Sequence, residues 1–215
     1  MNSNRDIIIR IDNIVYGGYG LGRVDGKVIF VESGLPGDVV KIALKEEHKD
    51  YSTAVITGII EPSSQRVTPI CPVADLCGGC SYLNVNYDSE LEFKRSIIID
   101  QLKRVAHLKD EELPDIKTIA DNRYNYRSHT RFNSENGIKG FFRRGTNTIV
   151  GFPDNGCMLL SKEINDSIKK LNANDAKIEI KAAADFRDSI HFGREDSPAE
   201  IIEFENNLYY HRDIN

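Results

Sequence analysis

The chain has 215 residues, of which 40% are hydrophobic, and its 28 basic and 33 acidic residues give a net charge of −5. This apolar fraction supports packed cores and excludes wholesale disorder, while the acidic balance argues against a globally basic nucleic-acid binder. No apolar run approaches the roughly 20 residues that a membrane-spanning helix needs, and the N-terminus shows no signal-peptide pattern. We therefore expect a soluble, cytoplasmic monomer whose four cysteines bind a metal rather than form disulfides.

The first sixty residues show strand and turn signals without a helical period. Asp25-Gly26 lies between two β-rich runs and is typical of a type I′ hairpin turn, in which both central residues need a positive φ. Leu35-Pro36-Gly37-Asp38 marks a second turn, and further β-rich runs follow it. About five short strands in so short a segment predict a five-stranded β-barrel of the oligonucleotide-binding kind over residues 1–62.

A glycine-rich segment at residues 16–23 has two interpretations. A dinucleotide-binding loop needs a strand before it and a helix after it, so that the helix N-terminus can hold phosphate. Here a hairpin signal follows the glycines, which favours a turn between barrel strands. Arg23, at the end of this segment, is a candidate contact to an RNA backbone.

Residues 63–215 are predicted to form a second domain of mixed α+β class with antiparallel hairpins. Ser89 and Glu92 form a capping box for a helix with an apolar stripe at helical spacing, which contains Leu91, Ile98, Leu102 and Val105. The other predicted elements are a hairpin of residues 124–133 with 138–143, a helix over 161–171, a hairpin of 177–186 with 189–194, and an edge strand at 209–212.

The cysteines form a C-x5-C-x2-C loop with a fourth member 77 positions further on: Cys71, Cys77, Cys80 and Cys157. Four thiolates hold a [4Fe–4S] cluster, and Gly78 and Gly79 would let the backbone approach such a cluster closely. A structural zinc site also takes four cysteines, although it usually has two C-x2-C pairs and this loop has one. Buried cysteines without a ligand are a third explanation, and the spacing leaves all three open.

A basic, aromatic segment over residues 123–144 carries six basic residues against one acidic residue. Period two in an extended strand places alternate residues on one face, namely Arg123, Asn125, Arg127, His129 and Arg131. Phe142, Arg143 and Arg144 follow on the partner strand. Such a surface suits phosphate binding and base stacking, although a solvated charged face over an apolar core is an equally ordinary explanation.

The order of these features resembles the N-terminal part of the RNA 5-methyluridine (uracil-C5) methyltransferases that carry an iron–sulfur cluster. Residues 11–38 are similar to that family's TRAM domain, an RNA-binding barrel, and residues 62–80 to its cluster loop. Residues 126–129 and 140–144, followed by Cys157, are similar to its central domain. The resemblance covers residues 6–172 and implies a [4Fe–4S] cluster on the four cysteines, with ribosomal RNA favoured over transfer RNA as the substrate.

The same resemblance implies a C-terminal Rossmann-like domain that binds S-adenosylmethionine and supplies a nucleophilic cysteine. If all four cysteines are cluster ligands, no nucleophile remains, and no glycine motif for the methyl donor is present either. We therefore expect this chain to be inactive alone and to capture RNA for a methyltransferase domain. The alternatives are a free-standing RNA-binding iron–sulfur or zinc protein without catalytic activity, and a redox carrier of ferredoxin type.

Overall fold

The computed structural model describes residues 7–171, 176–182, 199–204 and 208–213, which form an α+β protein with two six-stranded sheets. The described residues group into two compact units. One unit takes those within Met1–Pro69 and Ser81–Ala120, and the other takes those within Ile70–Cys80 and Asp121–Asn215. The cysteine loop thus belongs to the second unit. The division into domains at residues 62 and 63 stays a prediction.

The first unit is built on a curled sheet of six strands rather than the predicted five. The strands are β1 (Ile7–Arg10), β2 (Asn13–Val15), β3 (Tyr19–Val24), β4 (Lys27–Glu32), β5 (Val39–Glu47) and β6 (Tyr51–Glu61), in the order β1-β5-β6-β4-β3-β2. The sixth strand arises because a break at Ile11 and Asp12 separates β1 from β2. At this break the Ile11 N–H donates to the Asp38 carbonyl oxygen and the Asp12 N–H to that of Leu21. The curl brings β3 back to β1, where a side chain on Gly22 would collide with the Arg10 carbonyl oxygen.

The predicted turns of this sheet are confirmed. Asp25 and Gly26 have φ angles of 49° and 81°, and they join β3 to β4 as a two-residue hairpin. Gly37 has a φ of 90° in the second turn. The glycine-rich segment is a turn between β2 and β3, and because β3 follows it rather than a helix, the dinucleotide-binding alternative is excluded.

Asp38 is the buried charge that joins the sheet to the segment after it. Its carboxylate is fully buried and accepts hydrogen bonds from the backbone N–H groups of Leu35 (2.7 Å) and Ser63 (2.8 Å). The Arg66 guanidinium also donates to it, through Nε at 3.1 Å and through Nη2. A third bond from Arg66 reaches the carbonyl oxygen of Ser33. This network fixes the path of the chain beyond β6.

Helix α1 (Tyr87–Arg104) is present as predicted, but its cap and its buried face are different. Asn86 is the N-cap and accepts from the Ser89 N–H (2.9 Å), so the predicted capping box is wrong by three residues. Phe93 and Ile97 pack against the core of the first unit, whereas the predicted stripe is largely exposed, with 50% exposure at Ile98 and 70% at Val105. No helix in the described part of the chain is long and apolar enough to cross a membrane.

The second unit contains the remaining strands in an antiparallel sheet of order β11-β12-β10-β7-β8-β9. Its elements are β7 (His129–Glu135), β8 (Ile138–Phe142), β9 (Ile149–Gly151), α2 (Lys162–Lys170), β10 (Ala176–Ala182), β11 (Ala199–Phe204) and β12 (Leu208–Asp213). The hairpin of β7 with β8 is the predicted one. By contrast, β10 pairs with β7 and β12, while the predicted partner at 189–194 lies outside the described residues. The predicted edge strand is β12, which lies inside the sheet.

Helix α2 covers this sheet with the face that its sequence period predicts. Ser161 caps the helix through a hydrogen bond from the Ile164 N–H, and Ile164, Ile168 and Leu171 are buried. They pack in one core with Phe132 of β7, among others. Lys139 of β8 donates to the carbonyl oxygens of Ile168 and Leu171 at 2.6 and 2.7 Å. One of the six basic residues of the segment 123–144 therefore caps the C-terminus of α2.

Asp38→Asn should lower the free energy of unfolding by about 3–5 kcal/mol, because an amide at this buried position leaves the partly buried Arg66 charge without its counter-ion. Chemical denaturation measures the loss. Asp12→Asn makes the same change at an exposed position of the same unit and should stay within about 0.5 kcal/mol of the unsubstituted protein. Equal loss in both variants would contradict a stabilising role for the Asp38 network.

Candidate functional site

Three of the four cysteines lie on a loop that winds through consecutive turns, which we call the cysteine loop (residues 71–80). The N–H of Ala74 donates to the carbonyl oxygen of Cys71 (3.2 Å), and the N–H of Cys77 donates to that of Val73 (2.8 Å). The N–H of Gly79 points at the Cys77 sulfur, at 3.4 Å. The loop therefore directs backbone N–H groups inward, including one onto a thiol.

The cysteine loop is attached to the end of β8. The N–H of Gly78 donates to the Phe142 carbonyl oxygen (2.9 Å), and Cys77 forms an isolated antiparallel bridge with Arg143. A Cβ on Gly78 would lie 2.8 Å from that carbonyl oxygen, and a Cβ on Gly79 would lie 2.9 Å from the Phe141 ring. These glycines are thus required for the close approach of the loop to β8, a reason that the sequence did not reveal.

Cys157 lies on the turn between β9 and α2, and Asn165 of α2 fixes that turn. The Asn165 side chain accepts from the Cys157 N–H (2.8 Å) and donates to the carbonyl oxygens of Cys157 (3.0 Å) and Leu160 (3.1 Å). A Cβ on Gly156 would lie 2.6 Å from the same side chain. Asn165 is a positioning residue that the sequence analysis missed, although an asparagine one turn into a capped helix is a signal of such local bonding.

The four thiols are near enough to influence one another's ionisation. Burial, together with the charges of Cys157, Cys77 and Cys71, raises the pKa of Cys80 to about 12, while Arg127 opposes the increase. Burial also raises the pKa of Cys77, which the Gly79 N–H and Arg144 lower and the charges of Cys157 and Cys71 raise. Without a metal, Cys77 and Cys80 are therefore protonated at neutral pH.

Four cysteine thiols are the donor set of a [4Fe–4S] cluster and also of a structural zinc ion. Four thiolates that share one zinc ion lie about 3.8 Å from one another, given Zn–S bonds of about 2.3 Å. Within the described residues, no three His, Cys, Asp or Glu side chains are grouped closely enough to hold one metal ion. A [4Fe–4S] cluster is larger, takes four cysteine thiolates and accepts N–H bonds at sulfur, as the Gly79 N–H offers here.

Arg127 and Arg144, two of the predicted RNA-binding arginines, lie near the thiols, and Arg127 does not share a strand face with His129 and Arg131. Strand β7 begins at His129, not at residue 124, because Asn125 has a φ of 56° and breaks the extended period. The Arg127 N–H bonds to the turn that carries Cys157, and its charge acts on Cys80. Arg144 donates to the Cys80 carbonyl oxygen at 2.6 Å. Arg123 also precedes β7, so the single predicted face is wrong.

Arg131, Arg143 and Arg144 line a cleft of about 660 Å³ in the second unit, which we call the arginine cleft. It is lined by Gly78, Gly79, Arg131, Asn133, Phe141, Phe142, Arg143, Arg144, Gly145, Thr146 and Asn147. Among the residues that the structure describes, the lining has three arginines and no acidic side chain, and Phe142 is 39% exposed. His129 is exposed two residues before Arg131 on β7. Arg23 belongs to the first unit, where its guanidinium donates to the Gly26 carbonyl oxygen.

Known proteins with similar sequences are RNA methyltransferases, although no protein-family model matches the chain. The chain is 31% identical over 169 residues to an uncharacterized RNA methyltransferase of Aquifex aeolicus, with 77% of this chain and 38% of that protein aligned. It is also 31% identical over 172 residues to the 23S rRNA (uracil(1939)-C(5))-methyltransferase RlmD of Legionella pneumophila, with 75% and 37% aligned. The chain thus spans little more than a third of the length of these relatives.

A solved structure shares the fold. The Pyrococcus abyssi tRNA (uracil-54, C5)-methyltransferase, in complex with S-adenosyl-L-homocysteine, matches 80% of this chain and 42% of its own with a TM-score of 0.51 and 21% identity. The shared fold agrees with the sequence relatives, which independently align with about three quarters of the chain. Over the three quarters of its length that align with these relatives, the chain belongs to the RNA (uracil-C5)-methyltransferase family.

Proposed function

We propose that this chain binds RNA and holds a [4Fe–4S] cluster as part of an S-adenosylmethionine-dependent RNA (uracil-C5) methyltransferase that acts on ribosomal RNA. The observation that carries the proposal is the attachment of the cysteine loop to the strand that presents Phe142 and the cleft arginines. The proposal includes a TRAM-like barrel over residues 1–62, a central domain over residues 63–215, a cytoplasmic location and a monomeric state.

The RNA-binding role rests on the chemistry of the arginine cleft and its surroundings. Arginines bind phosphate oxygens with two parallel hydrogen bonds, and an exposed aromatic ring stacks on an unpaired base. Arg131, Phe142, Arg143 and Arg144 line the cleft, and His129 lies beside them. Arg23, Arg123 and Arg127 complete the proposed RNA contacts, with Arg127 also facing the thiols.

Cys71, Cys77, Cys80 and Cys157 would hold the cluster. A bound cluster would supply a crosslink between the cysteine loop and the turn that Asn165 fixes, which makes its role structural. Arg127 and Arg144 place positive charge near the thiols and so favour their ionised, metal-binding form. Methyl transfer, with S-adenosylmethionine as donor, is assigned to the whole protein, because four cysteines that act as ligands leave none of these thiols as a nucleophile.

Anaerobically purified protein should contain about four iron and four acid-labile sulfide per chain, with broad brown absorbance. Cys157→Ser should lower both contents strongly, because it removes one of the four ligands. Met158→Leu, a neighbour in the same turn without a thiol, is the matched control and should keep both. Unchanged iron in Cys157→Ser, or stoichiometric zinc in the unsubstituted protein, would contradict the cluster assignment.

Metal-free protein should lose stability as the pH rises from about 9 towards about 12. In this window the unfolded Cys80 thiol ionises near its ordinary value of 9.0, while the folded thiol stays protonated because its pKa is about 12. The stabilising contribution is fully present below pH 9. Thermal unfolding of the metal-free protein measures it, and Cys80→Ser should flatten the decline. Identical pH profiles for the two proteins would show that the buried thiol is not its source.

RNA affinity should fall steeply as the salt concentration rises, since arginine–phosphate contacts release counterions. Arg131→Gln should reduce the slope of log affinity against log salt by about 0.7 for a single strand. Lys169→Gln removes the same charge from an exposed position on α2 and should leave the slope unchanged. An equal reduction in both variants would indicate a net-charge effect instead of a phosphate contact. Fluorescence anisotropy with labelled RNA provides the measurement.

A further inference from the structure

The arginine cleft combines the features of a site for a nucleotide. Three of the described side chains that line it are arginines and none of those described is acidic, which favours an anion, and Asn133, Thr146 and Asn147 supply amide and hydroxyl groups. Arg131 and Asn133 both come from β7, where alternation leaves Arg131 exposed and buries Phe132 between them. The lining therefore offers both charge for a phosphate and polar groups for a sugar or a base edge.

Phe142 makes an unpaired nucleotide a better fit than a duplex. Its neighbour Phe141 also lines the cleft but is half-buried, and its ring packs edge-on against Phe152, with ring centroids 5.0 Å apart. Phe142 is 39% exposed and lines the cleft. A base must leave the helical stack before its face can lie on such a ring, so the ring selects single-stranded segments.

One wall of the arginine cleft is the cysteine loop itself. Gly78 and Gly79 line the cleft, and the Gly78 N–H donates a hydrogen bond to the carbonyl oxygen of Phe142. The Arg144 guanidinium donates a hydrogen bond to the Cys80 carbonyl oxygen at 2.6 Å. The conformation of the cysteine loop thus fixes the backbone of Phe142, which carries the ring, and the position of the Arg144 side chain.

We infer that the arginine cleft binds an unpaired RNA nucleotide and that this binding is thermodynamically coupled to metal occupancy of the cysteine loop. The inference rests on the proposed RNA-binding and cluster functions and adds to them a location and a regulatory consequence. A metal on the four thiols holds the wall in place and raises RNA affinity. By linkage, RNA in the cleft must raise the affinity of the thiols for the metal by the same factor.

The first measurement is RNA affinity with cluster-containing protein, using a fluorescein-labelled single-stranded oligouridine under anaerobic conditions. Phe142→Ala should weaken binding roughly 5- to 100-fold without changing the salt slope, since it removes stacking and no charge. Ile138→Ala is the matched control, because Ile138 is also on β8, is 53% exposed and lies outside the cleft lining. An unlabelled duplex RNA of equal length should compete poorly.

The second measurement is iron release to a strong ferrous chelator, followed with and without a saturating concentration of the same oligouridine. RNA should slow release at least about 5-fold in the unsubstituted protein and in Ile138→Ala. The protection is the ratio of the release rates without and with RNA, taken within each protein. This ratio should be smaller for Phe142→Ala than for Ile138→Ala at the same RNA concentration.

The outcomes separate this inference from the function on which it rests. The coupling is overturned if RNA binds tightly but does not change the rate of iron release, or if the protein binds RNA tightly with no metal bound. Either outcome leaves RNA recognition intact. Equal affinity of Phe142→Ala and Ile138→Ala, or equal competition by duplex RNA, overturns the cleft as the site of an unpaired nucleotide. An unsubstituted protein that binds no RNA at low salt overturns the proposed function itself, and the inference with it.

Discussion

The hydrogen bond from the Gly78 N–H to the Phe142 carbonyl oxygen is the constraint on which the candidate site depends. It places a loop that would otherwise be a surface connection against the end of β8. Together with the bond from Arg144 to Cys80, it gives two functional features one common boundary. The cysteine loop carries three of the thiols, and its Gly78 and Gly79 also line the arginine cleft.

That attachment also explains the electrostatics of the thiols. Bringing Cys77 and Cys80 into a partly buried position beside two further cysteines raises the pKa of each thiol, since burial and neighbouring negative charge both oppose ionisation. Two arginines offset part of this effect without removing it. A metal centre reverses the balance, because a coordinated thiol is deprotonated outright.

The accuracy of the sequence predictions followed the range of the interactions involved. The hairpin at Asp25-Gly26 and the helix capped at Ser161 were predicted correctly because adjacent residues determine them. Helix α1 was found, but its buried face was not. Apolar residues lie on more than one side of it, and packing against the core of the first unit selected Phe93 and Ile97. The single arginine face failed because Asn125 breaks the strand to bond with the turn at residue 158.

The sequence by itself determined the α+β class, most turns, the cysteine set and the family, because these depend on residue identity, local conformation and spacing. Only the tertiary structure decided which arginines line the cleft and which face the thiols. It alone showed that Gly78 and Gly79 serve the approach to β8 and that Asn165 fixes the turn of Cys157. These assignments depend on contacts between residues far apart in the chain, and such contacts leave no periodic pattern in the sequence.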